Sequence, residues 1–104
     1  MEDFSALASD IIKYAGGRNN IKAVIHCATR LRFVLDDESK TDTDKIKEAG
    51  AGIVVGIVES KGQYQIILGN YAADVYEAVV RVGGLESKAM GFDAIHDMVH
   101  EAAK

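Results

Sequence analysis

The chain has 104 residues, enough for one modest hydrophobic core and one domain. Hydrophobic residues make up 48% and charged residues 27%, which excludes wholesale disorder, collagen-like repeats and a coiled coil. With 12 Lys+Arg against 16 Asp+Glu the formal net charge is −4, which disfavours sequence-independent binding to nucleic acid or anionic lipid.

Apolar side chains at Phe4, Leu7, Ala8, Ile11, Ile12 and Ala15 form a helical stripe, with Asp3 as the expected N-cap and Gly16-Gly17 as the stop. Ile21 to Cys27 reads as a strand. Thr29 to Leu35 then alternates, so Leu31, Phe33 and Leu35 point one way and Arg30, Arg32 and Val34 the other. Asp36 to Asp42 is a polar loop, after which Asp42 or Thr43 caps a short helix ending at Ala49-Gly50. Two further strands, Ile53 to Glu59 and Gln63 to Leu68, are joined by the turn Ser60-Lys61-Gly62. Asn70 is the expected cap of a helix with Ala72, Val75, Tyr76, Val79 and Val82 on one side, stopped by Gly83-Gly84. The order αββαββα predicts an α+β fold: a four-stranded, largely antiparallel sheet of two hairpins covered by three helices. Residues 1–84 form the expected domain and 85–104 a tail or linker, with Phe92, Ile95, Met98, Val99 and Ala102 at helical spacing.

The acidic start Met1-Glu2-Asp3-Phe4 lacks the basic region of a signal peptide, and the run Ile53 to Val58 falls far short of the ~20 residues of a membrane helix. The expectation is a soluble cytoplasmic domain, one that can still be a piece of a longer chain.

Two suggestive patterns fail on inspection. Gly50-Ala51-Gly52-Ile53-Val54-Val55-Gly56 resembles a dinucleotide loop, but its third glycine is one place late and it precedes a strand. His96 and His100 have zincin spacing around Asp97 instead of Glu, with no third ligand, and read as solvated residues. The single cysteine excludes an intramolecular disulfide and a thiolate zinc cluster. Its setting, Ile25-His26-Cys27-Ala28-Thr29-Arg30-Leu31-Arg32-Phe33, is chemically loaded. A core cysteine has no use for nearby guanidiniums, whereas a reactive one does, because cations favour the thiolate. Arginine also grips phosphoryl oxygens through paired hydrogen bonds, and the turn amides at Ala28 to Arg30 can form an anion-binding nest. These residues suggest a thiolate that handles an oxyanion.

Gly16-Gly17-Arg18-Asn19-Asn20-Ile21, then His26-Cys27-Ala28-Thr29-Arg30-Leu31-Arg32, resembles the enzyme IIB (EIIB) domain of the bacterial sugar phosphotransferase system (PTS), glucose superfamily. Gly62-Gln63-Tyr64-Gln65-Ile66-Ile67-Leu68-Gly69 resembles that family's second signature. The resemblance spans residues 4 to 84 and is greatest to β-glucoside permeases, with the sucrose and trehalose branches near. It implies a phosphotransferase component in which Cys27 is the catalytic residue, accepting a phosphoryl group from a phosphohistidine of EIIA. Cys27 then passes the group to a sugar held in the membrane domain EIIC. Arg30 and Arg32, with Thr29 and the backbone of Ala28, are expected to stabilise the phosphoryl group. His26 is a further possibility, and Gln65 sits at the site's edge or serves only strand pairing. No metal or cofactor is expected, and no nucleic-acid partner. The tail is expected to lead into EIIC. The competing reading is a regulatory or interaction domain of the same fold, with Cys27 structural or redox-active.

Overall fold

A computed structural model describes residues 3–60 and 62–89. Helix α1 (Ser5–Tyr14) leads to strands β1 (Ile21–His26) and β2 (Arg30–Leu35), then α2 (Thr43–Ala49), β3 (Gly56–Ser60), β4 (Gln63–Ile67) and α3 (Ala72–Gly83). The strands form one antiparallel sheet in the order β1-β2-β4-β3, so the two hairpins meet along β2 and β4. This is the expected α+β architecture.

Alternation decides the two faces. Leu31, Phe33 and Leu35 of β2 join Val24, Tyr64 and Ile66 in a core completed by Leu7, Ile11 and Ile12 of α1, Ile46 of α2, and Val75 and Val79 of α3. All three helices therefore cover the same face. The opposite face carries Arg30 and Arg32, and Val34 there is buried without belonging to that core. Paired residues share a face, so Ile25, Arg32, Gln65 and Val58 form one row across the sheet, and Arg30, Ile67 and Gly56 another.

The base of the first hairpin is fixed by Asn20, which is 4% exposed. Its amide donates to the carbonyls of Ala15 (2.8 Å) and Asp37 (2.9 Å) and accepts from the Asp37 N–H (2.8 Å). One side chain thus ties the end of α1 to the chain leaving β2. Gly16 makes room for it: at φ +102°, a Cβ there would lie 2.5 Å from Asn20 Nδ2.

Several expected boundaries shift. Phe4, not Asp3, occupies the N-cap of α1, although the Asp3 carboxylate still accepts from the Ser5 N–H at 2.9 Å. Asp42 caps α2 by accepting from the Lys45 N–H. Asn70 caps nothing: it lies in a 3₁₀ turn, Gly69–Tyr71, which runs straight into α3 and makes a side-chain cap superfluous. Val82 is 40% exposed, whereas Ala72, Val75 and Val79 are buried as expected and Ala78 joins them. β3 begins at Gly56 and not Ile53, since the N–H groups of Ile53 and Val54 fold back onto the Gly50 carbonyl. Beyond Gly84, Leu85 is fully buried in the core and Ala89 forms a parallel bridge with Val24, so residues 85–89 pack with the unit. The helical spacing from Phe92 to Ala102 and the histidines at 96 and 100 lie outside the described residues. Among the described residues, no helix is long and apolar enough to cross a membrane.

Candidate phosphoryl-transfer site

Cys27 opens the turn between β1 and β2, and its N–H donates to the Arg30 carbonyl at 2.9 Å. The turn is held from β4's end by the Thr29 carbonyl, which accepts from the N–H groups of Leu68 (2.8 Å) and Gly69 (3.0 Å). The second signature stretch therefore buttresses the first through backbone alone. Cys27 itself is half-buried, while Ala28 and Thr29 are exposed. The thiol thus stands at the start of a turn whose next two residues are open to solvent. A cleft of about 540 Å³ between the start of α1 and α3, lined by Phe4, Tyr71, Asp74 and Arg81, contains none of the expected site residues.

Arg32 Nη2 approaches Cys27 Sγ at 3.6 Å. Partial burial pushes the Cys27 thiol up. The N–H groups of Thr29 and Arg30, with the charge and hydrogen bond of Arg32, outweigh it, so the thiol sits below its ordinary value. That balance favours a nucleophilic sulfur. Arg32 Nε is buried with no hydrogen-bond partner among the described residues; the contact with the sulfur is made by Nη2.

Arg30 extends from the same face, and its Nη1 donates to Gln65 Oε1 at 2.8 Å. Gln65, 8% exposed, in turn donates from Nε2 to Gln63 Oε1 at 2.9 Å. With its nitrogen engaged by Gln63, the Gln65 amide must present oxygen to the guanidinium. Gln65 therefore does more than pair strands. Gln63 was not among the expected site residues, although its position two residues before Gln65 puts both on one face of β4. The Thr29 hydroxyl has no partner among the described residues, so the contribution of Thr29 here is made by its backbone. His26 lies on the opposite, helix-covered face: its Nδ1 donates to the Cys27 carbonyl at 3.0 Å, and its ring stacks on Tyr76 of α3 at 4.5 Å between centroids. Tyr76 was expected only as a helix-face residue. Among the described residues no cluster of His, Cys, Asp or Glu could hold a metal ion.

The arrangement brings together a thiol biased toward thiolate, the Arg32 guanidinium and turn amides, with the Arg30 side chain on the same face of the sheet, a set suited to an oxyanion arriving at sulfur. Comparison with known proteins points the same way. The family model described as "phosphotransferase system, EIIB" matches residues 9–42. The chain is 45% identical over 86 residues to the "PTS system beta-glucoside-specific EIIBCA component" of Halalkalibacterium halodurans, an alignment covering 83% of this chain and 13% of that protein. It is 46% identical over 79 residues to the "PTS system sucrose-specific EIIBCA component" of Pediococcus pentosaceus, covering 75% of this chain and 12% of that one. The chain thus spans only about an eighth of the length of these relatives. A solved domain of a PTS IIabc component from Clostridium difficile superposes with a TM-score of 0.67 at 29% identity, covering 88% of this chain and 93% of that one. By sequence and by fold, the chain belongs to the EIIB family of the phosphotransferase system.

Proposed function

We propose that this domain is a phosphocarrier in which Cys27 receives a phosphoryl group from a phosphohistidine of an EIIA domain and hands it to a sugar bound in EIIC. The observation that carries the reading is the Cys27 thiol, shifted toward thiolate by turn amides and by Arg32 at 3.6 Å. In the first step the thiolate attacks phosphorus, the S–P bond forms, and the P–N bond breaks with its electron pair returning to the imidazole. In the second a sugar hydroxyl attacks, the O–P bond forms, the S–P bond breaks and the thiolate is restored, the hydroxyl proton leaving to solvent. Both steps are largely positioning and charge stabilisation. Arg32, through Nη2, and Arg30 neutralise the equatorial oxygens, and the amides of Ala28 and Thr29 assist.

The carrier unit takes in Leu85 to Ala89, which pack with it, and the chain beyond leads toward EIIC, tethering a cytoplasmic domain to the bacterial membrane. The β-glucoside name of one relative supports a β-glucoside as the sugar; the 46%-identical sucrose-named relative supports sucrose as the second reading. The test is incubation with phosphoenolpyruvate carrying labelled phosphate, the general phosphotransferase proteins and a β-glucoside-type EIIA. Wild type takes up a thiol-linked label at Cys27, and Cys27→Ala takes none. Equal labelling of the two proteins, or no labelling of either, overturns the reading. Onward transfer to a β-glucoside or to sucrose in EIIC membranes then identifies the sugar.

A further inference from the structure

His26 sits one residue before the sulfur yet on the other face of the sheet, where the two arginines are not. Its Nδ1 lies 3.0 Å from the Cys27 carbonyl oxygen. A carbonyl only accepts, so Nδ1 carries the hydrogen. The ring rests on Tyr76, tilted by 48° at 4.5 Å, and α3 holds Tyr76 against the core. Two contacts thus fix the ring, and through it the plane of the Cys27–Ala28 peptide. No peptide bond among the described residues is cis, so the Ala28 N–H points away from the Cys27 carbonyl. With the carbonyl drawn toward the helix face, that N–H is turned toward the face of Arg30 and Arg32. It has no partner among the described residues, and Ala28 is exposed. The next two N–H groups, of Thr29 and Arg30, already serve the sulfur.

We propose that His26, seated on Tyr76, is a positioning residue for phosphoryl transfer: it locks the Cys27–Ala28 peptide so that the Ala28 N–H meets an oxygen of the phosphoryl group on Cys27. The proposal rests on the phosphocarrier reading and adds to it a donor set from outside through a ring that never touches the phosphoryl group. Proton transfer is not the role of His26. Its hydrogen is committed to a carbonyl, and its ring faces α3 instead of the sulfur.

The experiment compares wild type, His26→Phe, His26→Asn and Tyr76→Phe in the 104-residue chain. His26→Phe keeps an aromatic ring for Tyr76 but loses the donor. His26→Asn keeps a donor at the same distance from the backbone and loses the ring. Tyr76→Phe keeps the stack. The initial rate of Cys27 labelling from phosphorylated EIIA is read beside the pH profile of Cys27 alkylation by iodoacetamide. Loss of one hydrogen bond predicts labelling about tenfold slower in His26→Phe. Its alkylation profile does not move, because Thr29, Arg30 and Arg32 still serve the sulfur. His26→Asn recovers most of the rate, and Tyr76→Phe matches wild type. In wild type the Ala28 amide proton moves downfield on phosphorylation, and in His26→Phe it does not.

The proposal is overturned if His26→Phe is labelled at the wild-type rate, or if its slowing is matched by a displaced alkylation profile, as general loosening of the turn would give. It is also overturned if His26→Asn is no better than His26→Phe. Wild type that takes no label at all removes the phosphocarrier reading as well, a result distinct from each of these.

Discussion

Replacing Asn20 by Asp changes one NH₂ to an oxygen and should cost the fold a large part of its stability. Asn20 is 4% exposed, and its Nδ2 faces two carbonyl oxygens, of Ala15 at 2.8 Å and Asp37 at 2.9 Å. An ionised carboxylate there would bring its charge against both. The less costly state is the protonated acid, whose single O–H satisfies one carbonyl and leaves the other without a donor. Keeping a carboxyl protonated at pH 7, from an ordinary value near 3.9, costs about 4 kcal/mol. The lost hydrogen bond adds about 1 kcal/mol. Asn20→Asp should therefore lose about 5 kcal/mol at pH 7, comparable with the total stability of many small domains, about 5–15 kcal/mol. The pH dependence has a definite sign. The new carboxyl titrates higher folded than unfolded, so the folded state binds more protons and the penalty shrinks as pH falls, to about 2 kcal/mol near pH 4.5. Urea unfolding of both proteins followed by circular dichroism at the two pH values measures it. A penalty below about 1 kcal/mol at pH 7, or one independent of pH, would refute the assignment of Asn20 Nδ2 as the donor to both carbonyls.

Two further outcomes follow from the same geometry. Arg32→Gln removes a charge 3.6 Å from the sulfur and should move the alkylation profile of Cys27 to higher pH, with the wild-type profile the more sensitive to added salt; coincident profiles would remove Arg32 from the account of the thiol. Leu85→Ala deletes a fully buried core side chain and should cost about 2–5 kcal/mol by thermal or urea unfolding; a loss under about 0.5 kcal/mol would mean that the fold closes before residue 85.

The sheet and its helices were legible because each hairpin carries its own signal. Alternation in β2 separates Leu31, Phe33 and Leu35 from Arg30 and Arg32, and that separation is what puts the arginines on the thiol's face. The elements misread are those decided by contacts distant in sequence. Ile53 to Val55 looks like strand, yet the Gly50 carbonyl gathers the next N–H groups into a turn. Val82 continues an apolar stripe, but the buried face of α3 is centred on Val75, Ala78 and Val79 and leaves it outside. Asn20 carries no local sign of burial, because its partners lie 5 and 17 residues away. In the site, Cys27 and the arginines could be found from composition and spacing. The Gln63–Gln65–Arg30 chain could not, since it depends on which strand of the second hairpin lies beside β2.

Arg30 rests on a neutral amide, and neither Arg30 nor Arg32 forms an ion pair among the described residues, where the one salt bridge is Lys45–Glu48. A carboxylate in the place of Gln65 would have bound the guanidinium more firmly and cancelled its charge. The neutral tether leaves the charge of Arg30 uncompensated, so an arriving anion has no carboxylate to displace from it. When the anion departs, the guanidinium has an uncharged acceptor beside it and no competing charge to rebuild. At Arg30, then, neither arrival nor departure of an anion requires an ion pair to be broken or rebuilt.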